Sequence, residues 1–386
     1  MINYGKQDIN QDDINNVIEV LKSDWLTQGP NVSKFESVVG NYVGAKYAIA
    51  VNSATSALHI AYLSLGLGKG DILWTVPNTF VATANMALLC GAMVDFVDIN
   101  ITDFNLDIDK LEQKLIIARQ KDRLPKIVTA VHFAGLSCNM QKLRQLADEY
   151  GFHIVEDASH AIGAKYNDYY IGGCQYSDIA IFSFHPVKII TTGEGGMVLT
   201  NNSEMANKCI KLRSHGVTRD AKEFELANDG RWKFEQVMLG YNYRMPDINA
   251  ILGYSQMERI NSFIERRNWI ACQYKDTFSK IGLKYQEYGQ QSMLHAYHLF
   301  TILLNNTQER YDIDKYLLNR GYSSQVHYYP VYLQPYYRKL GYKESLCPVS
   351  EDYYSRCLSI PIYPAIEDQN IAMIIKHISE FINKNR

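Results

Sequence analysis

The sequence predicts an α/β protein: a large domain with a mostly parallel sheet flanked by helices, then a smaller C-terminal α/β domain. Short apolar runs alternate with amphipathic stretches from about residue 47 to 215, the pattern of strand–helix units. The length of 386 residues suits two to three domains at about 150 residues each. Hydrophobic residues at 47% against charged residues at 21% place the chain among globular rather than disordered proteins.

In chain order, Tyr47–Val51 reads as a strand and Thr55–Leu65 as a helix ended by Gly66. Asp71–Thr75, Met93–Asp98, Lys126–Phe133 and Phe152–Asp157 read as further strands, with helices Val81–Cys90, Leu106–Arg119 and Met140–Tyr150 between them. Strands Asp178–Phe184 and Gly196–Thr200 and helix Glu204–Arg213 close this segment. Residues 217–237 turn polar and charged, as an excursion or flap would. Pro246 opens a helical stretch running with one bend toward Lys280, long enough to connect two domains. The division therefore falls between 1–245, a large domain with its N-terminal arm and flap, and 246–386. The second unit should hold strand Tyr297–Leu304, helix Ile313–Arg320, strand Ser324–His327 and a last helix near Gln369–Asn383.

Composition narrows the function. A formal charge of −2, with no basic field, argues against nucleic acid as a partner. No apolar run approaches the roughly 18 residues that span a bilayer, so no membrane partner is expected, and the polar MINYGKQDINQDD is not a secretory signal. The seven cysteines are scattered and form no CxxC pair, which suits reduced thiols in a cytoplasm and argues against a disulfide framework or a zinc site; no metal is expected. Many of the 28 tyrosines gather late in the chain (YYPVYLQPYY, EDYYSR), where they serve a ligand cleft, a subunit interface or a second-domain core. No GxGxxG follows an early strand, which disfavours a dinucleotide dehydrogenase.

Ligands on parallel sheets bind at the carboxyl ends of strands, so three strand-end clusters carry the functional signal. Asn52-Ser53-Ala54-Thr55-Ser56 joins a strand to a helix, where free N–H groups and hydroxyls form either a phosphate cradle or a simple helix cap. Glu156-Asp157-Ala158-Ser159-His160 puts two acids at a strand end, where they bind a metal, orient a histidine, pair with a cation, or merely turn the chain. In Ser183-Phe184-His185-Pro186-Val187-Lys188, with glycines at 193, 195 and 196 beyond, a lysine sits among apolar residues. Such a lysine is either a snorkelling surface residue or a desolvated amine able to form a Schiff base. Together these clusters are the parts of a pyridoxal phosphate site: a cradle, an aspartate for the pyridinium nitrogen, and an imine-forming lysine. Phe80 in PNTFVAT is the candidate ring to stack on the cofactor.

The order of LTQGPNVSKFE, NSATSALH, PNTFVATAN, VHFAG, EDASHAIGA, FSFHPVKIITTGEGG, LRSHG and GYNYRMPDINAILG resembles the DegT/DnrJ/EryC1/StrS sugar aminotransferases of fold type I. The late segments HAYHLFTI, QVHYYPVYLQPYY and LSIPIYP extend the resemblance over nearly the whole chain. It implies the fold type I architecture, with pyridoxal 5'-phosphate as cofactor and Lys188 as its catalytic, Schiff-base lysine. By the same resemblance Asp157 partners the pyridinium nitrogen and His160 contacts the ring or its oxygen. Ala54, Thr55 and Ser183 hold the phosphate, and Asn242 does so from the other subunit of a homodimer. Tyr4, the segment Asp24-Trp25-Leu26-Thr27 and the segment Gln325-Val326-His327-Tyr328 match the nucleotide-sugar contacts. His160 and Ala54 stand where many relatives carry glutamine and glycine, and neither change removes a required chemical group.

SFHPVKIITT, LRSHG and QVHYYPVY resemble in particular the subgroup that acts in pseudaminic acid biosynthesis. That subgroup moves the amino group of L-glutamate to C4 of UDP-2-acetamido-2,6-dideoxy-β-L-arabino-hex-4-ulose. A transaminase of another UDP-4-keto sugar, such as a keto-pentose, is the nearest alternative, and a non-catalytic regulator that binds cofactor or sugar is another. Dehydratases of this fold replace the lysine with histidine, whereas position 188 is lysine. His185 reads as a cleft-wall residue, Arg213 and His215 as supports of the flap or interface, and Arg244 as an interface cation or a cross-subunit anion ligand.

Overall fold

The computed structural model describes residues 1–288 and 292–384. Its large sheet has seven strands: β1 (Tyr47–Val51), β2 (Ile72–Thr75), β3 (Met93–Phe96), β4 (Ile127–Val131), β5 (His153–Asp157), β6 (Ile179–Ser183) and β7 (Gly196–Thr200). Their order across the sheet is β1-β7-β6-β5-β4-β2-β3. Only β7 runs antiparallel to its neighbours, so the other six point their carboxyl ends to one side. Strands β4, β6 and β7 are buried along their whole length, as expected of strands covered on both faces. This is the mostly parallel, helix-covered sheet that the strand–helix alternation predicts.

The covering helices follow from apolar spacing and good caps. Ser53 starts α3 (Ala54–Ser64) by accepting the Ser56 amide, and Asn139 starts α6 (Met140–Tyr150) by accepting that of Lys142. Two helices precede the sheet that the polar N-terminal sequence did not announce, α1 (Gln11–Lys22) and α2 (Pro30–Val43). Asn10 and Asp13 form a reciprocal capping box on α1. Asp13 is nevertheless buried, because Ser255, Gln256 and Arg259 all reach its carboxylate. The bend expected after Pro246 lies between α8 (Asp247–Met257) and α9 (Ile260–Phe278), where Arg259 leaves helical geometry and pairs with Asp8 at 2.8 Å.

A second sheet joins Lys284–Tyr285, Phe300–Leu303 and Cys357–Ile360, all antiparallel. Its core packs Tyr274 and Phe278 of α9 against Ile302, Ile360 and Ile378. The chain's first residues are tied to this unit: Ile2 donates to Gly321 at 2.7 Å, and Ile362 donates to the Tyr4 carbonyl at 3.0 Å. The strand expected at Ser324–His327 does not form. Gln325 alone bridges Ser359, and the chain then leaves the sheet, so that the Tyr328 amide donates to the Asn78 side chain at 3.0 Å. The expected flap is a two-stranded ribbon, with Val217–Thr218 paired to Glu235–Gln236. Among the described residues no helix is long and apolar enough to cross a membrane.

Candidate active site

The carboxyl ends of β4, β5 and β6 open into a cavity of about 420 Å³, within the usual size for a cofactor site of roughly 300–1,000 Å³. Its walls bring together Tyr4, Ala54, Thr55, Phe80, Asp157, His160, Ser183, His185, Lys188, His327 and Tyr328. A larger hollow of about 600 Å³ lies at the edge strand β3 around Trp74 and Tyr342. It holds none of the predicted residues, and its Lys114 is already paired with Asp95 at 2.9 Å.

Asp157 ends β5 and is 5% exposed. Its carboxylate accepts from the Thr83 hydroxyl at 2.7 Å and the Ser159 amide at 3.2 Å. Those donors fix an acceptor-only carboxylate at the cavity wall. The neighbouring acid behaves differently: Glu156 faces the other side of the strand, bonded to the His132 ring at 2.7 Å and to Ser177. Of the readings open for this acidic pair, a metal centre has no support among the described residues, where no His/Cys/Asp/Glu group could hold an ion.

Lys188 follows β6 in a tight turn, its amide donating to His185 O at 2.9 Å. Burial of its amine against protein pushes its pKa down to about 8, with the Asp157 charge opposing the shift. About a tenth of the amine is then neutral at pH 7, far more than in an ordinary lysine, which favours a nucleophilic role. His160 and His327, by contrast, are held neutral, first by burial and then by the Lys188 charge; His327 is lowered to about 3.

The residues present fit pyridoxal phosphate. First-turn amides of a helix lack intrahelical acceptors, and Ser53 satisfies only that of Ser56, leaving Ala54 and Thr55 as donors at the cavity wall. Gly196 makes the cradle compact, because a Cβ there would lie 2.5 Å from the Ala54 nitrogen. Phe80 is 61% exposed despite its size, a ring left bare at the cavity and suited to stacking.

Other predicted residues lie outside this cavity. Asp24, Trp25, Leu26 and Thr27 form an exposed strip, tied down where the Asp247 amide donates to Leu26 O at 3.0 Å and Thr27 bridges Pro246. Asn242 is exposed beside Asn52. Gln325 is exposed and Val326 packs against two hydrophobic clusters, one under the large sheet and one under the second sheet. Arg244 lines a separate small hollow with Arg213, which pairs with Glu36, and His215 is exposed.

Several supporting residues escaped the sequence reading. Thr79, in the loop before the helix Ala82–Leu89, and Thr83 on its first turn are bonded to each other at 2.9 Å. Asp247, fully buried in RMPDINA, accepts the Gly29 amide at 2.7 Å and the Asn31 amide at 2.9 Å. It thereby caps α2 and anchors the Asp24–Thr27 strip.

The sequence pattern of the DegT/DnrJ/EryC1/StrS aminotransferase family matches residues 7–379. The chain belongs to this family. It is an aminotransferase, and pyridoxal 5'-phosphate is its cofactor. Campylobacter jejuni UDP-4-amino-4,6-dideoxy-N-acetyl-beta-L-altrosamine transaminase is 38% identical over 369 residues, 94% of this chain and 93% of that protein. Among solved structures, Helicobacter pylori PseC, an aminotransferase involved in the biosynthesis of pseudoaminic acid, superposes with a TM-score of 0.90. It is 30% identical, with 99% of each chain covered. The PLP form of the Streptococcus pneumoniae sugar aminotransferase Spr1654 superposes with a TM-score of 0.89 at 26% identity, covering 99% of this chain and 98% of that one.

Proposed function

We propose that this aminotransferase moves the amino group of L-glutamate to C4 of a UDP-linked 4-keto-6-deoxy-N-acetylhexosamine, in the pseudaminic acid pathway. The observation that carries this reading is the Lys188 amine, desolvated and set beside Asp157 in a cavity also walled by Tyr4, His327 and Tyr328. Similarity to the Campylobacter transaminase along 94% of the chain supports the choice of sugar.

Each residue has a physical task in this reading. Ala54, Thr55 and Ser183 bind the phosphate, Phe80 stacks on the ring, and Asp157 faces the ring nitrogen as a fixed anion. When bound, the cofactor supplies an electron sink that makes transfer of nitrogen between two carbonyl carbons accessible. Lys188 would hold it, and its amine would take the proton from the glutamate α-carbon and later deliver one to C4 of the sugar. Glutamate leaves as 2-oxoglutarate before the keto sugar enters. Tyr4 and His327, with ring centroids 5.2 Å apart, form one wall of the sugar pocket.

The working unit in this reading is a homodimer. Asp24–Thr27 and Asn242 are exposed and outside their own chain's cavity, and Trp25, Leu26, Trp232 and Phe234 expose large apolar side chains. A second copy that covers these surfaces brings Asn242 to the phosphate and the strip to the nucleotide.

Two measurements test this. A panel of UDP-4-keto sugars, with product identified by NMR, should give the highest kcat/KM for the 6-deoxy-N-acetylhexosamine; preference for a keto-pentose contradicts the sugar assignment. Mixing Lys188→Ala with Asn242→Ala subunits should restore one intact site per hybrid dimer. Activity no higher than in either unmixed variant contradicts sharing of the site.

A further inference from the structure

His160 sits between the cofactor residues and the small domain, 6% exposed, and its two ring nitrogens have different partners. Nδ1 accepts the Ala134 backbone N–H at 3.3 Å, and Nε2 lies 3.3 Å from the Tyr328 hydroxyl. A backbone N–H can only donate, so Nδ1 must be the bare nitrogen. Burial and the nearby Lys188 charge keep the ring neutral, so the single ring proton is on Nε2. Nε2–H therefore donates to Tyr328, whose own hydroxyl proton is turned away from His160. No acceptor in the chain takes that proton among the described residues, and Tyr328 lines the cavity.

The supports of this pair are rigid. Ala134 adopts a left-handed backbone (φ 58°) unusual for a residue with a side chain, which aims its amide at the ring. Gly135 follows at φ 100°, where a Cβ would lie 2.8 Å from the His160 carbonyl. His298, also buried, covers the His160 ring at a centroid distance of 4.4 Å, and the Asn78 side chain fixes the Tyr328 backbone.

We propose that Tyr328 donates a hydrogen bond to the carbonyl oxygen of the keto substrate, aimed by His160 in the tautomer that the Ala134 amide imposes. This rests on the keto-sugar aminotransferase reading above. Oxygen of a carbonyl gains negative charge as an amine attacks its carbon, and a fixed donor aimed there stabilises that charge. Burial pushes the Tyr328 pKa up, so the hydroxyl keeps its proton and acts as a donor rather than a base. Tyr328 is the catalytic residue of the three; His160 and Ala134 position it.

The test uses the holoenzyme. In 15N NMR of histidine-labelled protein, with the signal assigned through His160→Gln, Nε2 should be protonated and Nδ1 bare; a proton on Nδ1 overturns the proposal. With the preferred keto sugar, Tyr328→Phe should lower kcat about 10²-fold, the usual loss for one such donor. His160→Leu should cost as much, and the double variant no more than either single one, because the two act as a unit. His160→Gln should recover most of the loss, since its amide oxygen can accept from Ala134 while its NH₂ donates to Tyr328. Additive losses, or an unchanged kcat in Tyr328→Phe, overturn the proposal. A shifted resting absorption band in Tyr328→Phe assigns the donor to the cofactor's phenol oxygen and overturns the substrate assignment. Failure of the wild-type enzyme to aminate any keto sugar refutes the functional reading instead, and the NMR result decides the tautomer independently.

Discussion

Asp157 and Ser183 end adjacent strands, Lys188 follows a few residues later, and the Ala54–Thr55 cradle opens the helix behind β1. All four meet in one cavity of one chain. The residues expected to hold the nucleotide sugar are distributed otherwise. Tyr4, His327 and Tyr328 reach that cavity, but Asp24–Thr27 lies exposed on the far side of the Asp247 anchor. The residues expected to hold the cofactor thus stand at ends of the sheet's strands and first helix, whereas those expected to hold the sugar are divided between that cavity and exposed segments. We read this contrast as a cofactor floor set by the sheet beneath a substrate pocket that two chains complete in the proposed dimer.

The strongest way to break the contrast is Lys188→Ala. It should lower turnover by at least about 10⁴-fold while circular dichroism and melting behaviour stay native, because the change removes a nucleophile and a proton carrier together. Residual activity near wild type would mean the chemistry lies elsewhere. Asp157→Asn keeps the shape and removes the charge. A loss of about 10²–10³ in kcat is expected, measured with saturating cofactor so that weaker binding does not contribute.

Gly196→Ala presses a methyl into the Ser53–Ala54 backbone at about 2.5 Å. It should raise the Kd for pyridoxal phosphate about tenfold and destabilise the protein by about 1–3 kcal/mol. Cofactor fluorescence titration and thermal melting check both. An unchanged Kd would show that the cradle is looser than its geometry.

Much of this site was legible in the sequence, and the division follows the same contrast. The strand-end clusters at 52–56, 156–160 and 183–188 are contiguous, and a strand that ends fixes where the next few side chains stand. Tertiary pairing was not legible. Asp13 stands in a polar N-terminal segment that announces no helix, yet three residues from 255–259 bury it. Ser324–His327 has strand-like composition, but the pull of Asn78 on the Tyr328 amide takes the chain out of the sheet. Thr83 and Asp247 sat inside quoted motifs without a role, because their partners Asp157 and Gly29 are distant in sequence.

The subtlest test concerns protons. Lys188 is lowered to about 8, so its amine is mostly charged below that pH and mostly neutral above it. The rate at which cofactor-free protein captures pyridoxal phosphate should rise through pH 8 and then level, rather than climb toward the ordinary lysine range. Asp157 opposes the shift, so in Asp157→Asn the rise should move to lower pH. A profile that follows an ordinary lysine would show that the amine is solvated.

The proposed transfer carries the glutamate nitrogen on the bound cofactor to a UDP-4-keto sugar, while Lys188 moves the protons. It is tested most directly by following the visible absorption of the holoenzyme through both half-reactions. Glutamate alone should convert the band of the lysine-linked cofactor to that of its amine form, and the UDP-4-keto-6-deoxy-N-acetylhexosamine should then restore the original band. A band that glutamate leaves unchanged, or one that no UDP-4-keto sugar restores, would contradict it.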